Sequence, residues 1–263
     1  MENKMIRGAD VGATVVAQDL YEISATQMQR LGTRLQRGDR VFRYVKAIAT
    51  LTSTKLLVRS YYHQHISYAA INAASPAGSN KVYVTSGSGD GIANDGTFAA
   101  HALEGGYIAI FDASTDEWLN YAILDNDAAV SAGKLTITID GELPIALTTS
   151  DHVEAMCSPY LITGVNTQDR YCFMGLPLRL LTTTYPYGWI QTWGPCWVNP
   201  QPLVGVNGPS KPNMVVVARH DGSIDLPVYN DTNVAYAQRV GHVMTIAQDG
   251  TQGAPFINLQ IMP

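Results

Sequence analysis

Two histidines one residue apart, His63 and His65, would point both imidazoles to one face of a strand. That arrangement begins a metal site when a third ligand converges. No His-Glu-x-x-His or comparable set supplies the ligand locally, so polar surface or interface histidines are the better reading. His101, His152, His220 and His242 stand alone in sequence. The stretch SGSGDG (86–91) is glycine-rich like a phosphate loop, but it lacks the Gly-Lys-Ser/Thr ending and reads as a surface turn. Asp90, Asn94 and Asp95 in DGIANDG (90–96) could face a cation, yet they do not follow the alternation of a calcium loop. Cys157, Cys172 and Cys196 are odd in number and lack CxxC spacing, which favours reduced structural thiols over a disulfide frame or a zinc site. There is no Gly-x-Ser-x-Gly elbow and no cysteine–histidine signature, so a hydrolase would need a site assembled wholly in space. The Arg-Gly-Asp tripeptide at 37–39 carries no weight as a three-letter match. The chain reads as non-enzymatic, with no metal and no cofactor.

Two features remain. One is YPYGWIQTWGPCW (185–197), which holds three of the four tryptophans. Trp189, Trp193 and Trp197 recur every four residues, a helical interval, but Gly188, Gly194 and Pro195 argue against a continuous helix. As a strand, Tyr187, Trp189, Gln191 and Trp193 share one face. Gly194-Pro195 then stops or bends it, and Trp197 lies beyond the corner. The run is a packing or interface ridge of large rings, or else a stacking platform for sugars or bases. The flanks TTTYP and CWVNP lack the basic partners a platform usually has, which favours the ridge.

The other is charge. The net charge of −5 is unevenly spread: residues 1–60 hold ten Lys/Arg against five Asp/Glu, and the remainder holds seven against seventeen. Arg30, Arg34, Arg37, Arg40, Arg43 and Lys46 form the basic cluster. They dock on an acidic surface, or they pair with the protein's own acidic body. Overall acidity and the lack of a reading module argue against direct nucleic-acid binding. No apolar run approaches a membrane span, and the first thirty residues lack a signal-peptide pattern, so synthesis in the cytosol is expected.

The elements that must position these residues are mostly strands. Only 15% of residues are charged, while Gly (23), Pro (13) and Tyr (14) are plentiful, a mix suited to turns and half-buried strands. Residues 1–50 read as an extended arm ending in a first strand at 40–49, with one or two helical turns between Ser24 and Gly32. Residues 51–79 form a connecting segment, a short helix then a strand, closed by the turn SPAGSN (75–80). KVYVTS, GGYIAIFD, EWLNYAILD and GKLTITIDG are strands of a β module over 80–155, with ASTD as a hairpin link and a brief helix at 95–104. A second β module follows over 156–263, either by itself or as one fold with 40–79. Its short apolar runs are YLITGV, YCFMGL, LRLLTTTY, YGWIQTWG, NMVVVAR, VAYAQRVGHVMTIA and PFINLQIM. The fold class is mainly β, with sandwich or barrel-like modules, an extended N-terminal arm and few short helices.

The order of several segments then becomes informative: LGTRLQRGDRVFRYVKA (31–47), EGGYIAIFD (104–112), KLTITIDGELPIALTTSD (134–151), YGWIQTWGP (187–195), ARHDGSID (218–225) and the C-terminal RVGHVM and FINLQIM. This set resembles a loose group of tailed-bacteriophage virion proteins interpreted as capsid decoration or cement proteins. The resemblance covers about residues 30–261 and is sharpest at Gly-Trp-Ile-Gln-Thr-Trp-Gly-Pro. The group commonly has smaller residues after RYVKA, where this chain has Ile48. The resemblance implies a non-enzymatic protein on the outer surface of the phage head that binds the major capsid protein and reinforces the shell. It also implies self-association, often as a trimer. The competing expectation is a head-fibre or tail-associated adhesin for host glycans, which requires exposed tryptophans beside polar groups.

Overall fold

The computed structural model describes residues 18–51, 55–59, 65–164, 172–201, 214–227, 238–245 and 256–263. Among them there are strands and turns but no helix. Three strands come first: β1 (Arg34–Arg37), β2 (Arg40–Ala47) and β3 (Leu57–Arg59). Six follow: β4 (Ile66–Ala73), β5 (Lys81–Thr85), β6 (Tyr107–Phe111), β7 (Trp118–Asn126), β8 (Lys134–Ile139) and β9 (His152–Met156). The last seven are β10 (Leu161–Thr163), β11 (Phe173–Pro177), β12 (Tyr187–Trp197), β13 (Val215–Ala218), β14 (Ile224–Asp225), β15 (Arg239–Val243) and β16 (Phe256–Gln260).

The middle six close into a barrel in the order β4-β5-β8-β7-β6-β9, with every pair antiparallel. Period-2 alternation explains it. Val82 and Val84, Ile108 and Ile110, Leu135, Ile137 and Ile139, and Val153 and Ala155 all point inward and are buried. ASTD joins β6 to β7 as a hairpin, with Phe111 opposite Trp118. The barrel takes its first strand from 66–73, inside the segment that the sequence treats as a connector. Its entry and exit adjoin: His65 donates its main-chain N–H to Ala155 O at 2.9 Å, and its Nδ1 accepts from Cys157 N at 3.1 Å.

The other ten strands form one sheet, β1-β2-β10-β3-β11-β12-β16-β15-β13-β14, in which β12 also returns to pair with β2. That extra pairing closes a circuit, β2-β10-β3-β11-β12, around Val45, Ala47, Leu57, Ile162, Met174 and Ile190. A second circuit runs β12-β16-β15-β13-β14 and returns through Gln201 N to Ile224 O (2.9 Å) and Ile224 N to Asn199 O (3.0 Å). Its interior holds Cys196, Val198, Val216, Val240, Ile257 and Leu259. Strand β12 is the wall common to both.

Some expected elements differ. The helix expected at 95–104 is a run of turns, because His101 has a φ of +65° and Asn126 pins the segment. Its Oδ1 accepts from Leu103 N (2.7 Å) and its Nδ2 donates to Ala99 O (2.9 Å). The helical turns expected over 24–32 are absent. Ser24 instead bridges Tyr187, although Gly32 does turn the chain with a φ of +83°. The run 178–185 forms no strand, and the described part of 51–73 is β3 and β4. The rest of that stretch, His63 and arm residues 1–17 lie outside the described residues.

Candidate functional site

The basic cluster is built on the β1–β2 hairpin, whose two-residue turn is Gly38-Asp39 with Gly38 at a φ of +65°. Two pairs in the register set like charges directly opposite each other, Arg34 with Arg43 and Arg37 with Arg40. Such pairs destabilise a ladder. Parity divides the cluster. Arg34 and Arg43 share the face of Val45 and Ile190, while Arg37, Arg40 and Lys46 share the face of Phe42 and Tyr44. Arg43 donates to Gly32 O (3.2 Å) and Pro263 O (2.9 Å). Arg40 lies over the Phe42 ring at 5.4 Å, and Lys46 over Tyr187 at 5.6 Å. Arg37 reaches Asp19 only at 3.9 Å, with both groups well exposed, a contact worth little. Among the described residues β1 pairs on one side alone.

Arg30, Arg43 and Lys46 converge at the seam between the two β bodies. One cavity of about 390 Å³ there is lined by Arg30, Lys46, His101, Glu104 and Tyr187. An adjoining one of about 270 Å³ is lined by Arg30, Arg43, Tyr107 and Tyr160. Burial pushes the Tyr160 phenol up in spite of the Arg43 charge beside it, so its hydroxyl stays a hydrogen-bond donor. The counter-charge lies next door: residues 66–156 hold twelve Asp/Glu and two Lys, a balance of −10.

The aromatic run is one continuous strand, β12, with a bend inside it. From Tyr187 to Trp193 it pairs with β2; from Trp193 to Trp197 it pairs with β16. The register slips between Gln191 and Trp193. Gly194 sits at a φ of +91°, and a side chain there would run into the main-chain oxygen of Asp39. Buried Gln191 holds the bend, its Nε2 lying 3.1, 3.1 and 2.9 Å from the carbonyls of Trp193, Gly194 and Pro195. Trp189 is 2% exposed and packs edge-on to Tyr44 (5.2 Å, 69°), with Leu20 and Phe42 around it. Tyr187 stacks on Tyr44 at 6.3 Å. Tyr44 donates to Gln18 Oε1 (2.8 Å) and accepts from Met28 N (3.2 Å), and burial raises its pKa. So Tyr187 and Trp189 meet in one ridge. Trp193 and Trp197 do not join it; they are half-buried on the β16 side, opposite Gln260 and exposed Phe256.

The other sequence candidates are structural. Asp90 is buried and latches its loop, accepting from Gly87 N (2.7 Å) and Ser67 N (3.2 Å). Asp95 accepts from Thr97 N and Oγ1, and those bonds hold its carboxyl below the usual range. His65 is buried between β4 and β9.

A second aromatic group lies on the barrel's outer wall. Trp118 is directly opposite Phe111, Phe111 is opposite His152, and Tyr68 stacks on His152 at 4.3 Å. Trp118 and Tyr68 are 69% and 58% exposed. Tyr68 has a φ of +49°, a strained value for a bulky residue. Alternation in EWLNYAILD would have shown Trp118 facing outward; the bulged pairing that re-aims Tyr68 left no local signal. No protein-family model, curated protein or solved structure matches the chain.

Proposed function

We infer that the chain is a non-enzymatic bacteriophage decoration protein that binds the major capsid protein on the outer surface of the head, with the β1–β2 hairpin as a docking element. The observation that carries this reading is the two pairs of directly opposed arginines, Arg34–Arg43 and Arg37–Arg40. Like charges in register are offset by an anionic partner, and an acidic shell surface supplies one. The family resemblance points the same way and adds self-association, as a trimer, to stabilise the shell. Binding of purified protein to expanded capsids under a salt titration tests the docking role. Replacing Arg34, Arg37 and Arg40 with Glu lowers occupancy at least tenfold at low salt and flattens the salt dependence. Unchanged occupancy would refute it.

A second reading, a fibre- or tail-associated adhesin for host glycans, draws on one observation. Trp193 and Trp197 stay half-exposed on a strand face whose partners include Asn258 and Gln260. Copy number in the virion separates the readings: hundreds of copies fit decoration, a few dozen or fewer fit a fibre.

A further inference from the structure

The outer wall formed by β7, β6 and β9 has a composition of its own. Three cross-strand rows lie side by side: Trp118–Phe111–His152, Asn120–Ala109–Glu154 and Ala122–Tyr107–Met156. A trough of about 540 Å³ lies over the second and third rows, where the alanines leave room; Asn120, Ala109, Glu154, Ala122 and Tyr107 line it, with Asp140 at its margin. No lysine or arginine occurs on these three strands; the barrel's two lysines are on β5 and β8.

We propose that this trough binds a neutral glycan. Asn120 and Glu154 flank Ala109 one strand to either side, roughly 10 Å apart, room for one flat ring with hydroxyls directed both ways. An amide both donates and accepts, and a carboxylate accepts. A sugar hydroxyl, which also does both, matches the Asn120 amide and can donate to one of the several acceptor sites of the Glu154 carboxylate. Asp140 Oδ1 is held by Ala122 N at 2.9 Å, which fixes the orientation of that carboxylate. Tyr121 is anchored by donating to Glu142 O at 3.1 Å, and burial and Asp140 both raise its pKa, so it stays neutral. Half-exposed Tyr107 lines the trough itself, and the adjoining row offers Phe111 and exposed Trp118 to a further sugar along the strand direction. The barrel's balance of −10 repels phosphate, sulfate and carboxylate, which excludes an anionic sugar.

The inference is independent of the shell-docking reading, since it uses none of the hairpin arginines. An array of neutral, sialylated and sulfated oligosaccharides tests it, followed by calorimetry with the best neutral binder and with hexa-arginine. Neutral oligosaccharides bind; the anionic set and hexa-arginine do not. Trp118→Ala weakens binding at least tenfold and Trp118→Phe restores most of it. Because Trp118 is exposed, circular dichroism melts stay unchanged. Arg34, Arg37 and Arg40 substituted by Glu leave glycan binding intact. Absence of neutral-glycan binding, an unaffected Trp118→Ala variant, loss through Trp193→Ala in place of Trp118→Ala, or tight hexa-arginine binding each overturns it.

Discussion

Replacing Trp189 with alanine tests whether the aromatic run is a packing ridge. The indole is 2% exposed, its ring centroid lies 5.2 Å from that of Tyr44, and Leu20 and Phe42 complete the cluster. Truncating a buried tryptophan costs about 3–5 kcal/mol in lost transfer energy and residual cavity. The edge-to-face contact accounts for roughly 0.5–1.5 kcal/mol beyond the area buried. No hydrogen bond offsets or adds to this, because the indole Nε1 has no partner among the described residues. Trp189→Phe keeps a ring against Tyr44 and removes that unpartnered donor, so it costs less than half as much as alanine. Trp193→Ala, at a half-buried position outside the cluster, costs about 1 kcal/mol, typical of a partly exposed site. Urea unfolding of the three variants, followed by far-ultraviolet circular dichroism, measures the series. A loss under about 1 kcal/mol for Trp189→Ala, or equal losses at 189 and 193, would refute the reasoning.

Two further outcomes follow from buried and bonded groups. Burial pushes the Cys196 thiol up to about 12, and Cys157 is also buried, while Cys172 is exposed. A native-state titration with a thiol reagent at pH 8 therefore reads one fast thiol of three, and Cys172→Ser abolishes it. The Asp221 carboxyl is pushed up by burial but pulled below its usual range overall by Ser223 and Lys55. Its stabilising effect is present above the ordinary carboxylate pKa and disappears as pH falls through the lowered native value. Asp221→Asn is accordingly less stable near neutrality, and its deficit shrinks in acid; pH-dependent urea midpoints check this.

What was legible in the sequence was local. Strands β5 to β8 announce themselves because alternate residues enter the barrel core. Glycine and proline were enough to read 187–193 as a strand. Its continuation to Trp197 depends on β16, which arrives late in the chain and pairs with Trp193 onward. A strand was expected at the end of 51–73, but ISYAAINA hides its place in the barrel because the register slips twice, between Ile66 and Ala69 and between Ile71 and Ala73. The segment 95–104 has helix-forming residues, but contacts from Asn126 hold it in turns. The six basic residues are neighbours in sequence, yet strand parity sends the five on β1 and β2 to opposite faces. The outer-wall trough needs three strands in register before any of its residues meet.

The adjoining entry and exit of the six-stranded barrel bear on how the chain finds its fold. Pairing of Arg59 with Ile162 closes a loop on the order of 100 residues if the intervening chain is unfolded. Once β4 has paired with β9, residues 65 and 157 are already in contact, and the loop left to close is on the order of ten residues. The tenfold shortening lowers the entropic cost of joining β3 to β10 by about 2 kcal/mol. The barrel thereby acts as a staple: if it forms first, with three of its six pairings made by hairpins of neighbouring strands, it speeds assembly of the two circuits that share β12.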